Sequence, residues 1–182
     1  GHDLPSVTVA GVLDADGPLG HADFRAEERA FSLIVQAVGR AGRRGEAARA
    51  FVQAYRPAAR AVDLGVRGAV EEFLAGEIAQ RERLGFPPFG HLARLVVEGE
   101  DEGAVASLSR AVAAAVAEAD DVRVLGPARL HRLRGRYRRA VVARADRAAD
   151  AAGSLAAALA EREGSAEAAG LRTIIDVDPQ VA

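Results

Sequence analysis

The chain contains no cysteine, no methionine, no tryptophan and no lysine among its 182 residues. Without cysteine it can form no disulfide, no thiolate nucleophile and no cysteine-ligated zinc site. Without lysine it cannot complete a P-loop, whose lysine reaches the β- and γ-phosphates, and it cannot run Schiff-base chemistry. All 24 basic residues are therefore arginine, and 26 acids leave a net charge of -2. That balance gives no overall steering toward nucleic acid, although an average can conceal a local patch. Aromatics make up only 4%, and the 49% apolar content leans on alanine, so the core is expected to be thin per residue. No charge-free apolar run approaches the ~18 residues of a membrane span, and no basic segment followed by an apolar run opens the chain. A cytosolic location is the expectation. A start at Gly1 with no initiator methionine is expected of a processed product or a piece of something longer.

Punctuation along the chain divides it. Residues 6–13 read as a short buried strand running into Asp14-Ala15-Asp16 and a Gly17-Pro18 turn. Asp23 is a plausible N-cap for a helix from Phe24 to Gly39, on which Phe24, Phe31, Ile34, Val35 and Val38 share one arc. Ala50 to Tyr55 reads as another strand, closing what resembles the tail of an α/β unit. Gly68 to Leu84 reads as a charged amphipathic helix with Val70, Phe73, Leu74 and Ile78 on one side. The stiff Phe86-Pro87-Pro88-Phe89 segment cannot continue a helix and marks a boundary. Beyond it come a strand (91–97), a helix (102–117), a strand (122–125), a strand (136–143), a helix (146–162) and a strand (172–177). That β-α-β-β-α-β order is the split βαβ arrangement of ferredoxin-like domains.

Two segments carry candidate chemistry. The first is Gln36-Ala37-Val38-Gly39-Arg40-Ala41-Gly42-Arg43, a helix end that presents two guanidinium forks away from the core. Each fork suits phosphate oxygens, and the glycines permit close approach of a ligand or backbone. A glycine-capped helix whose basic end complements its own dipole reads equally well from spacing. The second runs from Arg129 to Arg147, where eight arginines face the single acid Asp146, a local balance of +7. On a strand, Arg136 and Arg138 share one face while Tyr137 and Arg139 share the other. A loop and strand edge of this kind suits single-stranded nucleic acid, with phosphates on Arg132, Arg134, Arg136 and Arg138 and a base on Tyr137. The plainer reading is a charge-defended edge strand or a set of salt bridges to acids elsewhere.

Other candidates are weaker. Asp176 and Asp178 flank Val177 with no third ligand nearby and read as a structural strand end. Asp14 and Asp16 close a parallel-type strand, where α/β proteins bind ligands. The four histidines, at 2, 21, 91 and 131, show no metal-ligand spacing, so no metal site is expected.

Gln-x-x-Gly-Arg-x-Gly-Arg at 36–43 is similar to motif VI of superfamily 2 helicases. Gly1-His2-Asp3-Leu4-Pro5 with Val7-Thr8-Val9, then Asp23-Phe24-Arg25-Ala26, resemble the run from motif V into motif VI of the primosomal protein N′ family of replication-restart helicases. Arg81 to Phe89, Val124-Leu125-Gly126-Pro127, Arg134 to Arg138 and Ile175 to Pro179 resemble that family's later segments in the same order. The loop Gly17 to His21 departs from the family pattern, and Arg139 stands where an aromatic often follows.

This resemblance implies a C-terminal fragment of an ATP-dependent DNA helicase of replication restart, with an α/β part followed by an α+β part. Residues 1–60 would be the C-terminal half of a RecA-like lobe, 61–88 a helical linker with a Pro-Pro junction, and 89–182 a ferredoxin-like DNA-binding domain. Arg40 and Arg43 would be catalytic, reaching the γ-phosphate of ATP. Gln36, Gly39, Gly42, Asp3 and Gly1 would serve nucleotide binding and its coupling to DNA. ATP and Mg²⁺ would be held mainly upstream, as would the family's zinc, for which this chain has no ligands. The implied partners are forked and single-stranded DNA, primosome and replisome-loading proteins, and single-stranded DNA-binding protein, with a cytoplasmic, nucleoid-associated location and no membrane. The fragment by itself is expected to hydrolyse nothing. A non-catalytic nucleic-acid-binding or primosome scaffold module is the alternative.

Overall fold

The structure is a computed structural model that describes residues 7–20, 23–41 and 48–179. Its mixed α/β chain separates into two compact units, divided between Gln80 and Arg81.

In the first unit, β1 (Val9–Val12) and β2 (Arg49–Val52) pair in parallel, Val9 opposite Arg49 and Val12 opposite Val52. Between them runs α1 (Ala26–Val38), with Glu27 and Glu28 in its first turn, where carboxylates complement the helix dipole. Its buried residues Ala26, Ala30, Phe31 and Ile34 recur at helical spacing and form one packing stripe. Ile34 joins Val12, Ala15 and Val62 in a small core. Phe31 joins Ala30, Ala61, Leu64 and Phe73 in another, so residues 61–73 contribute to this unit's packing. Ala61 and Leu64 lie on α2 (Arg60–Arg67), a helix not resolved by the sequence reading. Gly65 of α2 is where it crosses Ile34 closely: an added Cβ would sit 3.0 Å from the Ile34 side chain.

The next helix, α3 (Val70–Leu84), corrects one expectation. Its buried residues are Phe73 and Glu77, whereas Val70, Leu74 and Ile78 are exposed. The packed stripe is set by two partners. Phe73 stacks on Phe31 with ring centroids 3.9 Å apart, and Arg60 donates a 2.7 Å hydrogen bond to Glu77.

The second unit is a four-stranded sheet ordered β4-β5-β3-β6, every neighbouring pair antiparallel. Its elements are β3 (His91–Gly99), α4 (Glu102–Ala117), β4 (Arg123–Leu133), β5 (Arg136–Ala145), α5 (Ala148–Ala160), α6 (Glu163–Ala168) and β6 (Arg172–Val177). Alternation sorts the strands into two faces. Ala93, Leu95 and Val97 of β3 and Val141, Ala143 and Ala145 of β5 pack with Val105, Val112 and Val116 of α4 and Leu155 of α5. The opposite face carries Arg94, Val96 and Glu98 of β3, beside Arg138 and Val142 of β5 and Arg172 and Ile174 of β6. Helix α4 starts at Asp101, whose carboxylate accepts 2.7 Å from the Ala104 N–H.

Two expectations change here. The strand expected at 122–125 continues to Leu133, because a register shift between Leu125 and Ala128 absorbs Gly126-Pro127 without ending the pairing. Proline is tolerated there because β4 lies at the sheet edge. The basic strand β5, for which a charge-defended edge was the plainer reading, is interior, flanked by β4 and β3.

Candidate functional site

Gln36, Gly39 and Arg40 sit at the close of α1. The Gly39 N–H donates 2.9 Å to the Val35 carbonyl and the Arg40 N–H donates 3.2 Å to Ala37. Gln36 and Arg40 are exposed. Gly1, Asp3, Gly42 and Arg43 lie outside the described residues.

Of the two carboxylates expected to serve the first unit, Asp16 is buried and braces the backbone, while Asp14 is exposed. Asp16, 4% exposed, accepts the backbone N–H groups of Tyr55 at 3.0 Å and Arg56 at 2.7 Å, and Arg56 Nε stands 3.6 Å away. Burial pushes its pKa up, but the two N–H donors and the Arg56 charge outweigh that and hold it below the usual aspartate value. The Asp14 backbone N–H donates to Gln53 Oε1 at 2.8 Å. In the second unit, Asp178 accepts from the Leu92 N–H and meets His91 Nδ1, each at 3.0 Å, while Asp176 pairs with Arg94 at 3.4 Å. Among the described residues no group of three or more His, Asp or Glu is placed to hold a metal ion.

The arginines of the second unit gather around the β4–β5 hairpin. Leu133 pairs with Arg136 across a two-residue turn, Arg134-Gly135, with φ of 50° and 80°. Two successive positive φ angles are the signature of a type I′ hairpin turn, which Asn-Gly favours and which suits glycine at its second position. The Arg132 guanidinium lies 4.0 Å from the centroid of the Tyr137 ring and donates 2.7 Å to the Gly135 carbonyl. Arg129 and Arg139 approach Glu102 at 3.0 and 3.9 Å. Glu102, Arg129, Leu130, Arg132, Tyr137, Arg138 and Arg139 line an open cavity of about 220 Å³.

On the opposite face, Arg136 and Arg138 turn toward Glu98 at 3.9 and 3.6 Å, and Arg172 reaches the same carboxylate at 3.9 Å. The structure therefore brings together Arg132 and Tyr137 on one side and Arg136 and Arg138 on the other, with Arg134 exposed at the turn. Glu98, Glu102 and Arg172 were missed in the sequence because strand pairing brings Glu98 and Arg172 beside the hairpin, and Glu102 reaches Arg129 and Arg139 from the start of α4.

The family model of the primosomal protein N C-terminal domain matches residues 82–180. The chain belongs to that family. Among curated relatives, the replication restart protein PriA of Rickettsia felis is 34% identical over 149 residues, covering 81% of this chain and 23% of the relative. That of Bacillus subtilis is 36% identical over 143 residues, covering 76% and 18%. That of Thermotoga maritima is 29% identical over 186 residues, covering 97% and 23%. The chain thus spans about a quarter or less of the length of these relatives. Within the primosomal family domain fall all the hairpin arginines and Glu98. Among the described residues no helix is long and apolar enough to cross a membrane.

Proposed function

We propose that the chain is the C-terminal part of an ATP-dependent replication-restart DNA helicase, and that its second unit binds single-stranded DNA, free or at forks. The observation that carries the reading is the family match across 82–180, in which five candidate DNA contacts cluster on one hairpin. The second unit reads as a ferredoxin-like domain, supported by its β-α-β-β-α-β order with β3 and β5 central. The first unit reads as the C-terminal half of a RecA-like lobe, supported by parallel β1 and β2 flanking α1. In that lobe Arg40 and Arg43 would meet the γ-phosphate of ATP, with Gln36, Gly39 and Gly42 shaping the approach and Gly1 and Asp3 linking it to DNA. An arginine so placed contributes on the order of 10³–10⁵ in rate in other nucleotide hydrolases. ATP with Mg²⁺ would be bound mainly by upstream chain, because a lysine-free chain has no P-loop. Zinc, a family trait, finds no cysteine here. Primosome and replisome-loading proteins and single-stranded DNA-binding protein are the proposed partners of the longer protein, in a cytoplasmic, nucleoid-associated setting.

Phosphate contact is favoured over base stacking on the sheet. Tyr137 is the one aromatic on β3 to β6, and Arg132 already covers its ring. Sheets that read RNA bases usually present several aromatics. The test is fluorescence anisotropy with a labelled single-stranded oligonucleotide over a salt series. Affinity is expected to fall with salt, and Arg136→Ala and Arg138→Ala each to flatten the slope, by at most about one phosphate's worth. Salt-independent binding would overturn direct phosphate contact. With ATP and DNA present, the chain is expected to show no turnover above buffer.

A further inference from the structure

Around Glu98 the charges do not balance. It lies between Arg138 of β5 and Arg172 of β6 in the strand register, and Arg136 reaches it from two residues along β5. The nearest nitrogen–oxygen separations are 3.6 Å for Arg138 and 3.9 Å for both Arg136 and Arg172. A charge-assisted guanidinium–carboxylate hydrogen bond is normally about 2.7–2.9 Å, so all three arginines stand off. The Nε of Arg138 is buried and has no hydrogen-bond partner. Glu98, its side chain 13% exposed, thus holds three cations in an orbit that none of them closes. Exposed Glu100, 4.0 Å from Arg136, is the other acid in reach among the described residues, and Arg94 farther along the face is engaged by Asp176. The mismatch is one of charge and distance: three guanidinium forks face Glu98 and the exposed Glu100, none at hydrogen-bond length, so each keeps donors that the two anionic oxygens of a phosphodiester could take.

We propose that Arg136, Arg138 and Arg172 form a seat for one backbone phosphate of single-stranded DNA, and that Glu98 is the anion the phosphate must compete with. The inference rests on the DNA-binding reading and adds two residues to it: Arg172 as a phosphate ligand, and Glu98 as a built-in attenuator. Glu98 keeps the three forks converged when no strand is bound and lowers affinity by repelling the strand that arrives.

The experiment uses the full 182-residue chain, a labelled oligothymidylate and anisotropy from 50 to 300 mM salt. Glu98→Gln, which keeps shape and removes charge, is expected to tighten binding roughly fivefold to tenfold at low salt. Arg172→Ala is expected to weaken it several-fold and reduce the log–log salt slope, by at most about 0.7, the single-strand value for the one shared phosphate. If the parent binds DNA and neither variant differs from it, the phosphate seat is refuted while the DNA-binding reading stands. Weaker binding by Glu98→Gln would also refute it, by making Glu98 a simple brace for the arginines. If the parent binds no DNA at any salt, both readings fall. Should Glu98→Gln not fold, as judged by circular dichroism, the Arg172→Ala slope decides.

Discussion

Asp16 shows what a buried carboxylate does when its neighbours are backbone donors. Its two accepted N–H groups belong to Tyr55 and Arg56, just past the end of β2, so it holds that chain end against the turn following β1. Its pKa in the folded chain lies below the ordinary 3.8. A group with a depressed folded pKa stabilises above its unfolded value and loses that contribution as pH falls through the folded one. The difference in urea midpoint between the parent and Asp16→Asn is therefore expected to be constant above about pH 5 and to shrink toward pH 2. A pH-independent difference would show that charge is irrelevant there. Arg60 poses the opposite problem. Burial works against its charge, but hydrogen bonds to Glu77 and Glu27 outweigh that and raise its pKa above the usual arginine value. It also lies 4.9 Å from the Phe73 ring centroid. Arg60→Leu removes both bonds and is expected to cost about 2 kcal/mol in chemical denaturation, below the ~3–5 of a fully buried pair because Arg60 is partly exposed.

Among the elements, α3 and the β4–β5 hairpin are the instructive cases. The stacked Phe31–Phe73 pair ties α3 to α1, and Phe73 is fully buried. Phe73→Ala is expected to cost about 3–5 kcal/mol and Phe73→Leu less than about 1.5, both read from urea unfolding. The hairpin places a non-glycine residue, Arg134, at φ 50°, where asparagine is the better occupant. Arg134→Asn is thus expected to stabilise the second unit by about 0.5 kcal/mol while lowering DNA affinity and flattening its salt slope. Stability and binding moving in the same direction would remove the case for a functional arginine at the turn.

These elements also mark how far residues read in order could go. The boundaries of α4 and β6 were visible because apolar spacing within one element is a local signal. The length of β4 was not, since Gly126-Pro127 reads as a stop and only its pairing with β5 shows it to be a bulge. The packed side of α3 was misread because its partner ring is in α1, and no spacing within α3 announces that. Alternation made the two faces of Arg136 to Arg139 legible, yet the acids that organise them come from β3 and α4.

For the whole molecule, the two units differ in how completely they satisfy their backbones and bury their apolar side chains. Strand β3 has a partner on each side and Leu95 and Val97 fully buried. The β1–β2 pair has two strands only, with Val9 and Phe51 exposed among the described residues. Amide hydrogen exchange followed by mass spectrometry is expected to show the slowest exchange in β3 and β5 and markedly faster exchange in β1 and β2. Equal protection in both sheets would contradict it.

The position of β3 has a last consequence, in time. It is made first among the sheet's strands, yet its neighbours lie at 137–145 and 172–177. During synthesis its first partner, β5, follows only about forty residues later and its second, β6, later still, so the sheet's centre closes on one side before the other and is complete only once residues 172–177 have been made.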